Sequence, residues 1–300
     1  MEPATWCDSD DSPEEDPASS SEVAECAGPV LFRPDDVAIR LDAGPDWQLA
    51  SVSVRGAFHV RSGQPRQDAA AHALTPDGSH VVVAVADGVG SAARSELGSL
   101  AAVAAACDFV VRELAEQRCE ELDGDVILQR AAHAVVESAA IHQVSPDELS
   151  TTLVLAVVPL RLEGEFRRVR VIGCGDSDAF VLGRANLPTL TPLAPVESSA
   201  VNGSLGAWLP GHPLLTVDSW VLLGAGDGLL LATDGFTGPL GDCAGPVADH
   251  VIPRLVPPDS GGPWRLARDL SFEVTGWYDD RTVAVLWTDP QAETDMAATP

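Results

Sequence analysis

Several aspartates in this sequence stand where an apolar run stops or starts. Residues 81–86 are apolar throughout and end abruptly at Asp87-Gly88; residues 229–233 are nearly so and end at Asp234-Gly235. Asp279-Asp280 lies just before the apolar residues 282–287, and Gln67-Asp68 precedes residues 69–73 after a break containing Gly63 and Pro65. If these segments are neighbouring strands, their carboxylates converge on one edge. Carboxylates that close repel strongly unless a cation sits between them. A ligand set of oxygen alone, with no Cys or His, suits hard cations, so Mg²⁺ or Mn²⁺ is expected. The glycine after each aspartate lets the backbone approach an ion and exposes its carbonyl. Asp-Gly by itself is ordinarily a turn. Asp77-Gly78 and Asp227-Gly228 read that way, as hairpin tips before strands, whereas Asp87 and Asp234 each follow a buried-type strand.

The elements that must position these groups can be read from periodicity. Val- and Leu-rich segments bounded by Gly, Pro or Asp predict strands over residues 50–60, 81–86, 152–158, 168–172, 179–182, 214–223, 229–233 and 282–287. Helices are predicted over 96–116, 125–142, 244–255 and 263–272. The first carries Leu97, Leu100, Ala104, Cys107 and Val111 at helical spacing. Strands cluster with strands and helices come in pairs, which predicts an α+β fold rather than strict βαβ alternation.

Composition narrows the functional class. Of 300 residues, 45 are acidic and 18 basic, a net charge of −27, and every basic residue is arginine. That acidity argues against a nucleic acid or an anionic membrane as partner, since both need a basic face. The 45% of hydrophobic residues suffices for a sizeable core. No cysteine pair has CxxC spacing and no His cluster completes a zinc set, so Cys7, Cys26, Cys107, Cys119, Cys174 and Cys243 read as free thiols of a reducing compartment. With neither a signal peptide nor an apolar run of about 18 residues, the expected location is cytoplasmic. Residues 1–45 begin with crowded Asp, Glu and Ser and predict a disordered acidic tail. Residues 46–290 predict one catalytic domain, and residues 291–300 a flexible C-terminal tail.

The aspartate segments, taken with others between them, resemble in order the motifs of the metal-dependent protein phosphatases of the PPM, or type 2C, family, in particular its compact bacterial members. Arg66-Gln67-Asp68-Ala69 resembles the family's Asn-Glu/Gln-Asp-Ala, and Val85-Ala86-Asp87-Gly88-Val89-Gly90 its Val-x-Asp-Gly-x-Gly. Ser150-Thr151-Thr152-Leu153 resembles its Gly-Thr-Thr strand start, and Gly173-Cys174-Gly175-Asp176-Ser177 its Gly-Asp-Ser turn. Leu231-Ala232-Thr233-Asp234-Gly235 resembles Ala-Thr-Asp-Gly, and Asp279-Asp280-Arg281-Thr282-Val283 resembles Asp-Asn-x-Thr-Val.

The resemblance implies a central antiparallel β-sandwich flanked by helix pairs, a four-layer α-β-β-α arrangement with metals at one end. It implies that Asp87 bridges two metals, with the Gly88 carbonyl on one and Asp234 and Asp279 on the other. Asp68 would be a ligand or orient a metal-held water, and Asp176 would bind a third, weaker ion together with Asp234. Metal-activated water would then hydrolyse phosphoserine or phosphothreonine in a phosphoprotein of a serine/threonine kinase pathway. Arg61 is the preferred phosphate-binding arginine over Arg66. Departures are Val89, where animal members often carry His, Asp178 where Arg is usual, and Asp280 where Asn is usual. Asp280 reads as an exposed residue at a strand start, and His59 as a structural histidine. A pseudophosphatase that keeps the fold and binds phosphoproteins is the alternative; the presence of Asp87, Asp234 and Asp279 argues against it.

Overall fold

A strand that is apolar at every position needs cover on both faces, and the arrangement of this chain supplies it. The computed structural model describes residues 36–183, 189–193, 206–257, 262–272 and 274–288. Numbered along the chain, the strands β1 (Val37–Gly44), β2 (Trp47–Val54), β11 (Arg281–Thr288), β10 (Gly228–Ala232), β7 (Asp178–Gly183) and β8 (Thr189–Pro192) form, in that order, a six-stranded sheet. A five-stranded sheet runs β3 (Ala69–Leu74), β4 (His80–Ala86), β5 (Leu153–Pro159), β6 (Phe166–Cys174) and β9 (Val217–Gly224). Every strand pairing is antiparallel.

Alternate residues of each strand enter different cores, because successive side chains point to opposite faces. In β4, Val81, Val83 and Val85 meet Leu229, Leu231, Ala284 and Leu286 between the sheets. Val82, Ala84 and Ala86 lie instead under α2 (Ser95–Glu116) and α3 (Gly124–His142). On the far side, Leu230, Ala232, Val283 and Val285 pack against Phe236, Leu240, Val251, Leu266 and Leu270 of α4 (Asp234–Leu240), α5 (Pro246–Val251) and α6 (Gly262–Leu270). The result is the four-layer α-β-β-α sandwich expected from the sequence, with three separate hydrophobic layers. Among the described residues, no helix is long and apolar enough to cross a membrane. Cys107, Cys119, Cys174 and Cys243 are free thiols.

Several elements differ from expectation for local reasons. The strand expected over 50–60 stops at Val54, and α1 (Ala57–Ser62) follows. Gly56 caps that helix in a place no side chain fits: a Cβ there would lie 2.3 Å from the Asp279 carbonyl carbon. The helix expected over 244–255 is α5 plus a 3₁₀ turn at Ile252–Arg254, where Pro253 interrupts it. β3 is built mostly of alanine, a poor strand former, and escapes a propensity reading. α4 contains Gly235, Gly238 and Pro239, equally poor for a helix, and is held by its buried Phe236 and Leu240. Asp77-Gly78 sits in the β3–β4 hairpin, but Asp227-Gly228 joins β9 to β10 across the two sheets and so is not a hairpin tip.

The expected tail also ends earlier than residue 45. β1 pairs with β2 along its whole length, from Val37 with Val54 to Gly44 with Trp47, and Asp42 Oδ2 lies 3.3 Å from Nε2 of the buried His72 in the other sheet. Residues 1–35 and 289–300, and with them the rest of the tail expectations, lie outside the described residues. A chain beginning at Asp46 should therefore melt lower than one beginning at Asp36, by about 5 °C for a loss of one to two kcal/mol in a domain this size. Equal melting temperatures in differential scanning calorimetry would mean that β1 adds nothing to the sheet.

Candidate active site

Strand register brings the aspartates together. Ala69 pairs with Ala86, so Asp68, just before β3, and Asp87, just after β4, stand at the same end of one hairpin. Leu153 pairs with Cys174, which carries Gly175-Asp176 to that end; Gly175 makes the turn with φ of +102°, a conformation glycine adopts freely. In the other sheet Ala232 pairs with both Asp178 and Val283, so Asp234 leaves β10 where β7 and β11 begin, beside Asp279-Asp280. The two groups meet across the seam between the sheets. The Thr233 hydroxyl donates to Asp68 Oδ2 at 2.8 Å, and Asp234 is among the groups whose charge acts on Asp87.

Hydroxyls and backbone groups hold this rim. The Asp87 N–H donates to Thr152 Oγ1 at 2.9 Å, while the Thr151 hydroxyl and the Thr152 N–H donate to the Asp87 carbonyl at 2.7 and 2.8 Å. The Ser150-Thr151-Thr152 motif thus fixes the Asp87 peptide. Thr152 Oγ1 also lies 2.8 Å from Ser177 Oγ, next to Asp176. Thr233 is tied to Thr282 by its own N–H, at 3.0 Å to the Thr282 carbonyl, and receives the Thr282 N–H on Oγ1 at 3.0 Å. The glycines after the aspartates are demanded by packing. A Cβ on Gly235 would fall 1.9 Å from the Asp280 carbonyl oxygen, and one on Gly88 2.8 Å from the Gln67 carbonyl oxygen.

The electrostatic consequence is pressure to take up protons. Burial, then repulsion from Asp68, Asp234 and Asp279, pushes the Asp87 carboxyl well above the ordinary carboxylate range. Asp68 is raised by burial and by Asp280 and Asp279, against the opposing hydrogen bonds of Thr282 and Thr233. Desolvation, Asp234, Asp178 and Asp279 lift Asp176 to about 6. For Asp279 the surrounding protein is again the largest cause, although its side chain keeps 53% of its solvent exposure; Asp280 and Asp234 add to it, and His59 opposes. Asp178, which sequence reasoning noted only as a charge reversal, belongs to the same rim. Burial and Asp234 raise it, and a hydrogen bond from Thr237 holds it down.

Asp280 and Arg66 are inside the protein. The expectation of an exposed Asp280 fails, since 1% of the residue is accessible. It accepts the Gly56 N–H at 2.6 Å and the Gln67 N–H at 2.5 Å, and His59 Nδ1 lies 2.9 Å from its Oδ1. The donor atoms of His59, Asp279 and Asp280 lie within 4.8 Å of one another. Both Asp280 oxygens already carry short backbone hydrogen bonds, so this triad is a hydrogen-bonded junction first. Arg66 is 1% exposed and donates to Ser53 Oγ at 2.5 Å and to the Asp68 carbonyl at 2.7 Å. Its guanidinium supports the Asp68 backbone. Arg61 is exposed on α1, with its guanidinium carbon 4.9 Å from the centre of the Tyr278 ring, next door to Asp279. The sequence held no mark of Thr233 and Thr282 as partners beyond a hydroxyl residue beside each aspartate motif.

This combination of sandwich and acidic rim defines a phosphatase-type α-β-β-α fold. The family model for protein phosphatase 2C matches residues 55–260, and the chain belongs to that family. RsbX in complex with magnesium is similar in structure at 14% identity, with a TM-score of 0.50 over 84% of this chain and all of that one. The photosystem II phosphatase PBCP is similar at 17% identity and a TM-score of 0.50, covering 81% of this chain and 99% of its own. A serine-threonine phosphatase 2C from Toxoplasma gondii is similar at 15% and 0.50, covering 86% and 100%. At these identities the likeness is one of fold. Among curated protein sequences no match is found.

Raised carboxyls give the metal-free protein a definite pH response. A carboxyl whose folded pKa exceeds its unfolded value, about 3.9 for Asp, stabilises the fold fully below the unfolded value. That contribution disappears as pH rises through the folded value, which is about 6 for Asp176 and raised for Asp68, Asp87 and Asp279. In EDTA the melting temperature should fall as pH rises from about 4 through about 6 and above, and Asp87→Asn should flatten that fall by removing a crowded charge. A melting temperature that climbs over this interval in both proteins would contradict the crowding.

Proposed function

We propose that the protein is a metal-dependent phosphatase that removes phosphate from phosphoserine and phosphothreonine in proteins. The observation that carries this reading is the convergence of Asp68, Asp87, Asp176, Asp234 and Asp279 from separate strand ends onto one rim, where burial and mutual repulsion leave an unbalanced negative cluster. Such a cluster fits hard divalent cations: all its side-chain donors are oxygen, and a cation relieves the repulsion. Asp87, the Gly88 carbonyl, Asp234 and Asp279 would hold two Mg²⁺ or Mn²⁺ ions. Asp68 would complete the set or orient a water, and Asp176 with Asp234 would hold a third ion weakly. That RsbX was solved with magnesium supports the choice of ion. When bound, the ions would supply an activated water for in-line attack on phosphorus and balance charge on the transferring phosphoryl group.

The chain's own residues set the stage for that chemistry. Arg61 stacks its guanidinium on Tyr278, the residue before Asp279 in the chain, and would take the phosphate oxygens, a role arginine suits. The hydroxyls of Thr151, Thr152 and Thr233 keep Asp87 and Asp68 aimed at the rim. Residue 89 is valine, so no imidazole follows Asp87-Gly88 to protonate the leaving oxygen, and solvent water fills that role.

The purified protein should hydrolyse p-nitrophenyl phosphate with Mn²⁺ or Mg²⁺ and stop when EDTA is added. Asp87→Asn, Asp234→Asn and Asp279→Asn should each lower kcat by at least about 10²-fold. Folded variants that retain full activity would overturn the ligand assignment, and undiminished wild-type activity in EDTA would overturn the metal.

Asp176→Ala addresses the third ion. The variant should bind the two tight ions normally by calorimetry, turn over a phosphopeptide more slowly, and need more Mn²⁺ to reach its maximal rate. Wild-type rates and Mn²⁺ dependence would reduce Asp176 to a turn residue.

A further inference from the structure

α1 has six residues and no side-chain cap at its N-terminus. A helix that short has no stability of its own in water, so its position comes from what it docks against. That dock is the segment 278–280. The Phe58 N–H donates to the Tyr278 carbonyl at 2.9 Å, the Gly56 N–H to Asp280 Oδ1 at 2.6 Å, and His59 Nδ1 approaches the same oxygen at 2.9 Å. The remaining Asp280 oxygen takes the Gln67 N–H at 2.5 Å, next to Asp68. His59 is 3% exposed and Asp280 1%. One buried carboxylate thus joins α1, the start of β3 and the start of β11. A carboxamide could not replace it without turning an N–H against an N–H, because it has only one acceptor atom.

We propose that the His59–Asp280 pair is a positioning device for substrate phosphate: it locks α1 to the start of β11 and so holds Arg61 on Tyr278, the residue before Asp279. The pair works through Arg61 and touches neither substrate nor ion, and this role rests on the reading of Arg61 given above. Tyr278, on which Arg61 stacks, is the single tyrosine of the chain and therefore a unique reporter of where α1 sits.

The test compares His59→Leu, which removes the nitrogen that meets Asp280, with His59→Asn, whose amide can place an N–H near the Nδ1 position, and with Arg61→Ala. His59→Leu should raise KM for a phosphopeptide about 10-fold with kcat within about 2-fold of wild type. The Mn²⁺ concentration giving half-maximal rate should be unchanged. The Tyr278 ring resonances should shift in NMR spectra, and His59→Asn should restore both KM and those resonances. Arg61→Ala should raise KM at least as much and gain nothing further from His59→Leu. A folded His59→Leu with wild-type KM and unmoved Tyr278 resonances overturns the proposal. Should His59→Leu fail to fold, His59→Gln, which displaces the polar group from the Nδ1 position, takes its place, and KM equal to that of His59→Asn overturns it. An inactive wild type, or Arg61→Ala with wild-type KM, strikes at the phosphatase or Arg61 reading instead. In either case the Tyr278 resonances still report whether His59 docks α1.

Discussion

Repulsion among aspartates at one rim is the constraint on which the rest of this structure depends. Asp87 feels Asp68, Asp234 and Asp279, and Asp176 feels Asp234, Asp178 and Asp279. Loops alone would let such groups drift apart. Here each follows or precedes a strand of fixed antiparallel register, paired on both sides except for the edge strand β3 that follows Asp68, and a slip of one residue would send every side chain to the wrong core. The hydroxyls of Thr151, Thr152 and Thr233 then fix the peptides and carboxylates at the rim itself. The stability of three hydrophobic layers is thereby used to hold a locally unfavourable charge arrangement, which is a common property of functional sites.

Much of this was legible in the sequence, for identifiable reasons. Strands such as β4, β5, β10 and β11 are apolar on both faces and stand out as runs; α2 and α3 show helical spacing. The Asp-Gly pairs at strand ends marked Asp87 and Asp234, and the motif order carried the family. What escaped was decided by partners distant in sequence. Nothing in the alanines of β3 announces a strand, because their role is to fit closely beneath α2. Phe58 and Val60 looked like strand residues, yet α1 leaves both exposed and is held through Gly56, His59 and Phe58 N–H. β1 sat within a segment whose composition suggested a tail.

Asp280 and Arg66 show the same limit from the polar side. Both resemble surface residues when read along the chain, and both are 1% exposed. Asp280 is met by two backbone N–H groups and an imidazole, Arg66 by a hydroxyl and a carbonyl among its partners. Breaking such an arrangement by removing one partner typically costs about 3–5 kcal/mol, which makes each a rigid joint rather than a surface charge. Asp280 binds together the approaches to Asp68 and Asp279, and Arg66 braces Asp68 from behind.

The layer between the sheets has a further bearing on how this sequence can change over time. Asp68, Asp87 and Asp176 belong to the five-stranded sheet; Asp178, Asp234 and Asp279 belong to the six-stranded one. The thickness of the slab between them, filled by Val83, Val85, Ala156, Ala284 and their neighbours, acts as a spacer gauge for the rim. Adding a methylene there would widen the gap between two halves of the site far from the substitution. The outer layers beneath the helices carry no such duty, since the helices can shift to absorb a change in volume. Sequence drift should therefore be tolerated more freely under α2–α3 and α4–α6 than in the slab, whose small residues are constrained by the width of the site as well as by packing.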